Sequence, residues 1–395
     1  IYFNLNSRAS FKREPSLGHT FSFLVVTSMA ASPGTSLFAD AIGETSVTRG
    51  LTEKFSIADC EAEVFCCRFS PDGKYLAAGC ADGAIRVYTV LNGKLSFTLN
   101  VDNAEALPMC SLRFRPMTSS SRTKNVLLAV SADGSAQHWH VTSGRRLHSI
   151  MEEDNQIFSV DYRADGALFA TAGKDKAVRV YDEATKSIVT ELAGGIFRAG
   201  PGHSNRIFSA RFHPTQENIL ISGGWDKTVQ IWDLRTDESV KSIFGPFICG
   251  DAVDVVGNEI VTGSYRTEKQ LEVWDMTAGK LRESIPWCES ELATTQEQCQ
   301  LYAAQFSKGP LAGRLIAAGG AGSNDCKVFD HANGNCLVGM ISGLSRAVYT
   351  VDFSPNSDLI ALAGGDSSVR VYNVRTDPIG RGIAATTVLP GAGDP

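Results

Sequence analysis

Between Ser222 and Leu234 the chain reads "SGGWDKTVQIWDL", which places Trp-Asp twice within one short stretch, at Trp225-Asp226 and at Trp232-Asp233. With His203 upstream in "GHSN", the stretch holds the side-chain types of a nucleophilic triad: a serine (Ser222), a base and an acid (Asp226). A hydrolase using His203 and Ser222 would need the serine on an exposed elbow beside oxyanion donors. Ser222 instead falls inside a strand-like run with nothing to supply that hole, so the structural reading is preferred and no enzyme is expected.

Other chemistry is thin. His138 and His140 flank Trp139 and would share a strand face, a spacing that can hold a metal, but no third ligand is evident and no metal is assigned. Ten cysteines lie mostly in apolar runs without a CxxC pair, and read as small core residues in a reducing compartment. The adjacent Cys66 and Cys67 would point to opposite faces of a strand. There is no phosphate loop, no GxGxxG after a strand and no paired-carboxylate signature, so no cofactor is expected.

Charge narrows the partners. The 395 residues carry 37 basic and 43 acidic side chains, net -6, with no basic run to neutralise phosphates. Nucleic acid and acidic membrane surfaces are therefore disfavoured, and other proteins or peptides are the expected partners. No apolar run approaches the roughly 20 residues that span a bilayer. "MAASPGTS" from Met29 looks like an ordinary cytosolic start, so residues 1–28 are read as an upstream translated or extended segment, and a cytoplasmic location is expected, with nuclear or cytoskeletal/ciliary association as the alternative. All of 1–49 is expected to be disordered or extended outside the fold.

The elements that must position these residues come from a repeat. Its first part reads "VFCCRFSPDG" at Val64, "IFSVDYRADG" at Ile157, "IFSARFHPTQ" at Ile207, "LYAAQFSKGP" at Leu301 and "VYTVDFSPNS" at Val348, with weaker copies at Met109 and Gly250. Its second part closes on Tyr88, Trp139, Tyr181, Trp232, Trp274, Phe329 and Tyr372, at separations of 51, 42, 51, 42, 55 and 43. Five copies carry an Asp six residues before that aromatic: Asp82, Asp133, Asp175, Asp226 and Asp366. An Asp in a hairpin turn accepts backbone N–H groups and stabilises it. The fifth copy has Glu268 in a longer turn and the sixth has Ser323 with Asp325 displaced, so those two units should be irregular. Helical periodicity is absent and short apolar runs alternate with Gly, Asp, Pro and Asn, which predicts an all-β fold.

Seven such units in register resemble the WD-repeat family of β-propellers, over roughly residues 50 to 376. The resemblance implies a seven-bladed ring of four-stranded antiparallel sheets around a channel. The last unit lacks an outer strand, and "LTEKFSIAD" (about 51–58) is expected to complete it and close the ring. Residues 377–395, rich in Gly and Pro, are expected to form a disordered tail.

The resemblance also implies a hydrogen-bonded tetrad within the fourth blade: His203, Ser222, Asp226 and Trp232. It places Phe65, Phe158, Phe208, Tyr302 and Tyr349 near the channel mouth, either as docking residues or wedged between blades as core. Trp225, in a turn with no obvious core to fill, is expected to be exposed on that face. With Lys174, Arg206 and Arg266 nearby it would contact an acidic or apolar peptide, the structural alternative being packing across the loop "FRAGPGHSN". Finally, "ISGGWDKTVQIWDLR" resembles the box by which some WD-repeat proteins attach to a cullin-type ubiquitin ligase adaptor, with Asp233 and Arg235 as contacts. The preferred reading is a monomeric scaffold propeller within a larger complex, with the substrate receptor as runner-up.

Overall fold

The computed structural model describes residues 46–47, 50–58, 60–100, 106–118, 123–194, 201–288 and 298–375. The expectations for 1–28 and for the 377–395 tail lie outside these residues.

Each repeat folds as a meander of antiparallel strands, seven sheets in all. The first blade is Val64–Phe69, Tyr75–Cys80, Ile85–Thr89 and Leu95–Leu99, and the next five follow the same order. The inner strands are covered on both sides by adjoining blades, so they read as continuous apolar runs rather than alternating ones. Val126–Ser131 is buried at every position. Outer strands face solvent on one side, and in Glu238–Phe244 the buried Ser239 and Ile243 are set against exposed Val240 and Phe244. The core is therefore not one mass but a series of layers between blades. Leu128 and Val130 of the second blade, for instance, pack with Ile157, Val160 and Tyr181 of the third. All seven closing aromatics are buried in these layers.

The ring closes as the sequence predicts. Leu51–Ile57 pairs antiparallel with Val369–Val374, from Leu51 opposite Val374 to Ile57 opposite Val369, and completes the seventh blade. Strand structure also begins ahead of the expected boundary at residue 50: Ser46–Val47 pairs with Ser342 and Ile341, a fifth strand on the sixth blade. The chain then turns from one blade to the next at Gly50, where φ is +86° and an added Cβ would lie 2.4 Å from the Val338 carbonyl oxygen. Only glycine allows both that backbone angle and that approach.

The turn aspartates do what their position suggests. Each accepts the backbone N–H two residues on, at 3.0 Å (Asp82), 2.8 Å (Asp133), 3.3 Å (Asp175), 3.1 Å (Asp226) and 3.2 Å (Asp366). The residue that follows is left-handed in all five, including Lys176, Lys227 and Ser367. The two irregular units are irregular here. In the sixth, Ser323 Oγ donates to the displaced Asp325 at 2.6 Å, and in the fifth Arg266 bonds Glu272 at 2.8 Å across the longer turn.

Candidate functional site

The tetrad of the fourth blade is assembled from one loop, two strands and the turn between them. Trp232 Nε1–H donates to Ser222 Oγ at 2.7 Å, Ser222 Oγ lies 2.8 Å from His203 Nε2, and His203 Nδ1 lies 2.8 Å from Asp226 Oδ2. Because Ser222 already accepts from the indole, its own proton goes to Nε2, which leaves Nδ1–H to donate to the carboxylate. Ser222 and Trp232 have no solvent exposure and His203 has 4%. A buried hydroxyl engaged on both sides has no access to substrate, so the triad-like residues act as a strut between loop and sheet. Asp226 also accepts from Ser204 N–H and Thr228 Oγ1–H, each at 2.9 Å.

Burial opposes the Asp226 charge, yet the bond from His203, the His203 ring and the surrounding donors outweigh it and hold its pKa below the usual 3.8. A carboxylate depressed on folding stabilises above its unfolded pKa, and that stabilisation is lost as pH falls through the folded value. Asp226→Asn should therefore melt below wild type at pH 7, and the gap should narrow below about pH 4. Thermal unfolding across that range checks this, and a gap that does not change with pH contradicts it.

At the channel mouth the five aromatics share one structural device. The register of the first strand shifts at Phe65, Phe158, Phe208, Tyr302 and Tyr349, a bulge that re-aims the side chain. Opposite one of these bulges the strands approach closely: an added Cβ on Gly173 would lie 2.1 Å from the Gln156 carbonyl oxygen. The rings form two arcs. Phe158 stacks on Phe208 at 4.7 Å, while Phe65 stacks on Tyr349 at 5.5 Å and Tyr302 meets Tyr349 edge-on at 5.6 Å. Phe158, Phe208 and Tyr302 are buried, whereas Phe65 and Tyr349 remain half-exposed. Phe158, Phe208 and Tyr302 are thus wedged between blades as core, while Phe65 and Tyr349 keep part of their surface open at the mouth.

Trp225 requires a correction. It is half-buried rather than freely exposed, because a wall exists that the repeat pattern did not reveal. Its ring packs 5.2 Å from Phe208 and 6.4 Å from Phe247, which lies in the connection to the fifth blade, and the Arg206 guanidinium lies over it at 5.3 Å. Such a cation–aromatic contact is worth about 0.5–1 kcal/mol when exposed. Lys174 is exposed in the equivalent turn of the third blade. Tyr265, 5.0 Å from Tyr302, also joins the mouth, and the repeat alignment gave no sign of it.

The arcs are interrupted where the second and fifth blades carry Cys110 and Asp251 at the aromatic position. Asp251 is the site residue that the sequence reading missed. Its carboxylate meets three guanidiniums from three other blades: Arg68, Arg113 at 3.1 Å and Arg211 at 3.0 Å. These belong to a ring formed by the fifth residue of each first-strand copy, namely Arg68, Arg113, Asp161, Arg211, Asp254, Gln305 and Asp352. The ring also ties four of the blades to the one before. The backbone N–H groups of Phe69, Phe212, Phe306 and Phe353 donate to Asp352, Asp161, Asp254 and Gln305 of the preceding blade, at 2.8 to 3.0 Å. Burial, with Arg68 close by, lowers the Arg113 guanidinium pKa to about 10.

The remaining candidates find local partners. His138 is buried and bonds Glu183 at 3.1 Å, while His140 bonds Ser143 at 2.6 Å, so the two histidines serve different contacts. Arg235 folds back on Asp233, with Nε 3.0 Å from Oδ1. Cys66 and Cys67 do face opposite interfaces, Cys66 toward Met109 of the second blade and Cys67 toward Thr350 of the seventh.

What this geometry defines is a closed seven-bladed propeller with a buried structural tetrad and an aromatic mouth. The WD domain, G-beta repeat, matches residues 53–89, 144–182, 196–233 and 335–373. Similar proteins include the U3 small nucleolar RNA-associated protein 21 homolog of Schizosaccharomyces pombe, 25% identical over 53% of this chain and 21% of that protein. The transcriptional corepressor LEUNIG_HOMOLOG of Arabidopsis thaliana is 26% identical over 55% and 25%. The serine-threonine kinase receptor-associated protein of Gallus gallus is 27% identical over 61% of each chain. The matched region spans a quarter or less of the first two relatives' length. The chain carries repeats of the WD family at four positions and folds as a seven-bladed β-propeller. Proteins of this family generally act as protein-interaction scaffolds and are generally non-catalytic.

Proposed function

We propose that this chain is a non-catalytic scaffold that holds an extended segment of a partner protein across its aromatic mouth. The observation that carries this reading is Trp225: a half-buried indole set between Phe208 and Phe247 with the Arg206 guanidinium over it, on the face that also carries the part-exposed Phe65 and Tyr349. Large aromatics and arginine dominate binding energy at protein interfaces because they bury much area at little entropic cost. Arg206 and Lys174 favour a segment in which acidic residues accompany the apolar anchor. The names of the relatives, a receptor-associated protein and a corepressor, support a role beside other proteins. For the ubiquitin-ligase alternative the geometry gives no specific support: Arg235 is exposed and pairs with Asp233, two residues before it, as an ordinary surface ion pair does.

The test is paired affinity capture with wild type, Trp225→Ala and an outer-strand control, Val240→Ser. Trp225→Ala should lose partners about tenfold or more, as expected for a hot-spot residue, with a melting temperature near wild type. Val240→Ser should keep them. Retention of the same partners by Trp225→Ala contradicts the reading.

A further inference from the structure

The outer strand of the second blade, Arg145–Met151, differs from the other six outer strands. Each of those buries at least one residue against its neighbours, as Leu99 does in the first blade and Leu192 in the third. In Arg145–Met151 no residue is buried, and only Ile150 is partly covered, against the layer between the second and third blades. The strand is also the edge of its sheet, so alternate N–H and C=O groups along it face solvent.

Register sorts its side chains, because residues opposite one another share a face of the sheet. Arg145, His148 and Ile150 stand opposite His140, His138 and Ala136, on the face toward the third blade, where His138 bonds Glu183. Arg146, Ser149 and Met151 stand opposite Trp139, Gln137 and Ser135, on the face toward the first blade, where Trp139 shares a layer with Ala77 and Val87. A bulge at Leu147 leaves that side chain 52% exposed, and Met151 is 53% exposed. The Arg146 guanidinium lies over the Trp139 ring at 6.0 Å, and among the described residues no carboxylate pairs with either arginine. The fold already extends one outer edge in this way: Ser46–Val47 adds to the sixth blade opposite Ser342 and Ile341.

We infer that Arg145–Met151 is a docking edge for an extended acidic segment of another protein, which adds to the second blade as a fifth strand. Main-chain hydrogen bonds supply the affinity of such strand addition, and alternate side chains supply its selectivity. Acidic residues fit because two adjacent arginines without carboxylate partners flank the regularly paired stretch from His148 to Met151, and opposite charges across a strand pair are favourable where like charges are not. Alternation with aliphatic residues fits because one face of the edge carries Arg145 and His148 while the other carries the exposed Met151. A second copy of the strand is a poorer occupant, since it brings two more arginines and no carboxylate. The edge lies on the circumference of the ring and does not depend on the aromatic mouth.

Fluorescence anisotropy of the full chain tests it, with a labelled hexapeptide of alternating glutamate and valine, the same peptide N-methylated at every amide, and a lysine–valine counterpart. The glutamate peptide should bind saturably, and the lysine peptide about tenfold more weakly or worse. N-methylation, which removes the donors of an added strand, should also cost about tenfold or more. Arg145→Glu, at an exposed position, should weaken the glutamate peptide about tenfold, while Val240→Ser on the fourth blade and Trp225→Ala at the mouth should leave it unchanged. Wild type supplies a readout free of any folding defect: binding should fall several-fold between about 0.05 and about 0.5 M salt. Equal binding of the glutamate and lysine peptides, binding that survives N-methylation or Arg145→Glu, no loss in high salt, or capture of phosphatidylserine vesicles in place of the peptide overturns the site.

Discussion

Deleting residues 50–58 should lower the melting temperature by roughly 10 °C or more and drive the chain toward oligomers. The segment supplies the outer strand of the seventh blade, with six residue pairs along Val369–Val374. Leu51 is buried in the layer between the sixth and seventh blades, and Phe55 and Ile57 pack against the layer between the seventh and the first. Losing those apolar contacts at about 0.8 kcal/mol per methylene, together with the strand's hydrogen bonds, costs on the order of 5 kcal/mol. The deletion also bares an edge beside the junction that closes the ring. Calorimetry and gel filtration on the truncated chain read both effects. An unchanged melting temperature and a monomeric profile would mean that the ring does not depend on this strand.

Asp251→Ala should be the most damaging single substitution at the channel, with a loss of about 3–5 kcal/mol. It leaves three buried guanidiniums facing one another with Asp161 as their remaining close counter-ion, and removing one partner of a buried ionic cluster strands the others in low dielectric. The sign of a second substitution separates this account from simple loss of packing. Adding Arg68→Met to Asp251→Ala should recover part of the stability, because it removes one uncompensated charge. Chemical denaturation of the two variants measures this, and a double variant less stable than Asp251→Ala contradicts the electrostatic account.

Most of the fold was legible because each level of the repeat agreed with the others. Apolar runs at fixed spacing, turn aspartates and closing aromatics all marked the same four strands, and the missing outer strand of the last unit pointed to Leu51. The tetrad was legible because its four residues sit at positions fixed by one blade. The channel cluster was harder to see. The polar residues Arg68, Arg113, Asp161, Arg211, Asp254, Gln305 and Asp352 fall at one position once copies are aligned, but Asp251 lies in a weak copy that starts at Gly250, where an aromatic stands in five other units. Its meaning depends on three other blades, and no local pattern carries that. Trp225 was misplaced for a similar reason: Phe247, its neighbour, belongs to a linker outside the repeat. Ser46–Val47 was missed because two residues hold no periodicity, and their pairing depends on passing an open edge.

Hydrogen exchange of the full chain, with and without a partner recovered by affinity capture, reads whether that partner lies across the aromatic mouth. Protection should centre on residues 206–208, 225, 247, 265, 302 and 349, with the outer strands and the lower rim unchanged. Protection confined to the outer strands, with no change around Trp225, would contradict it.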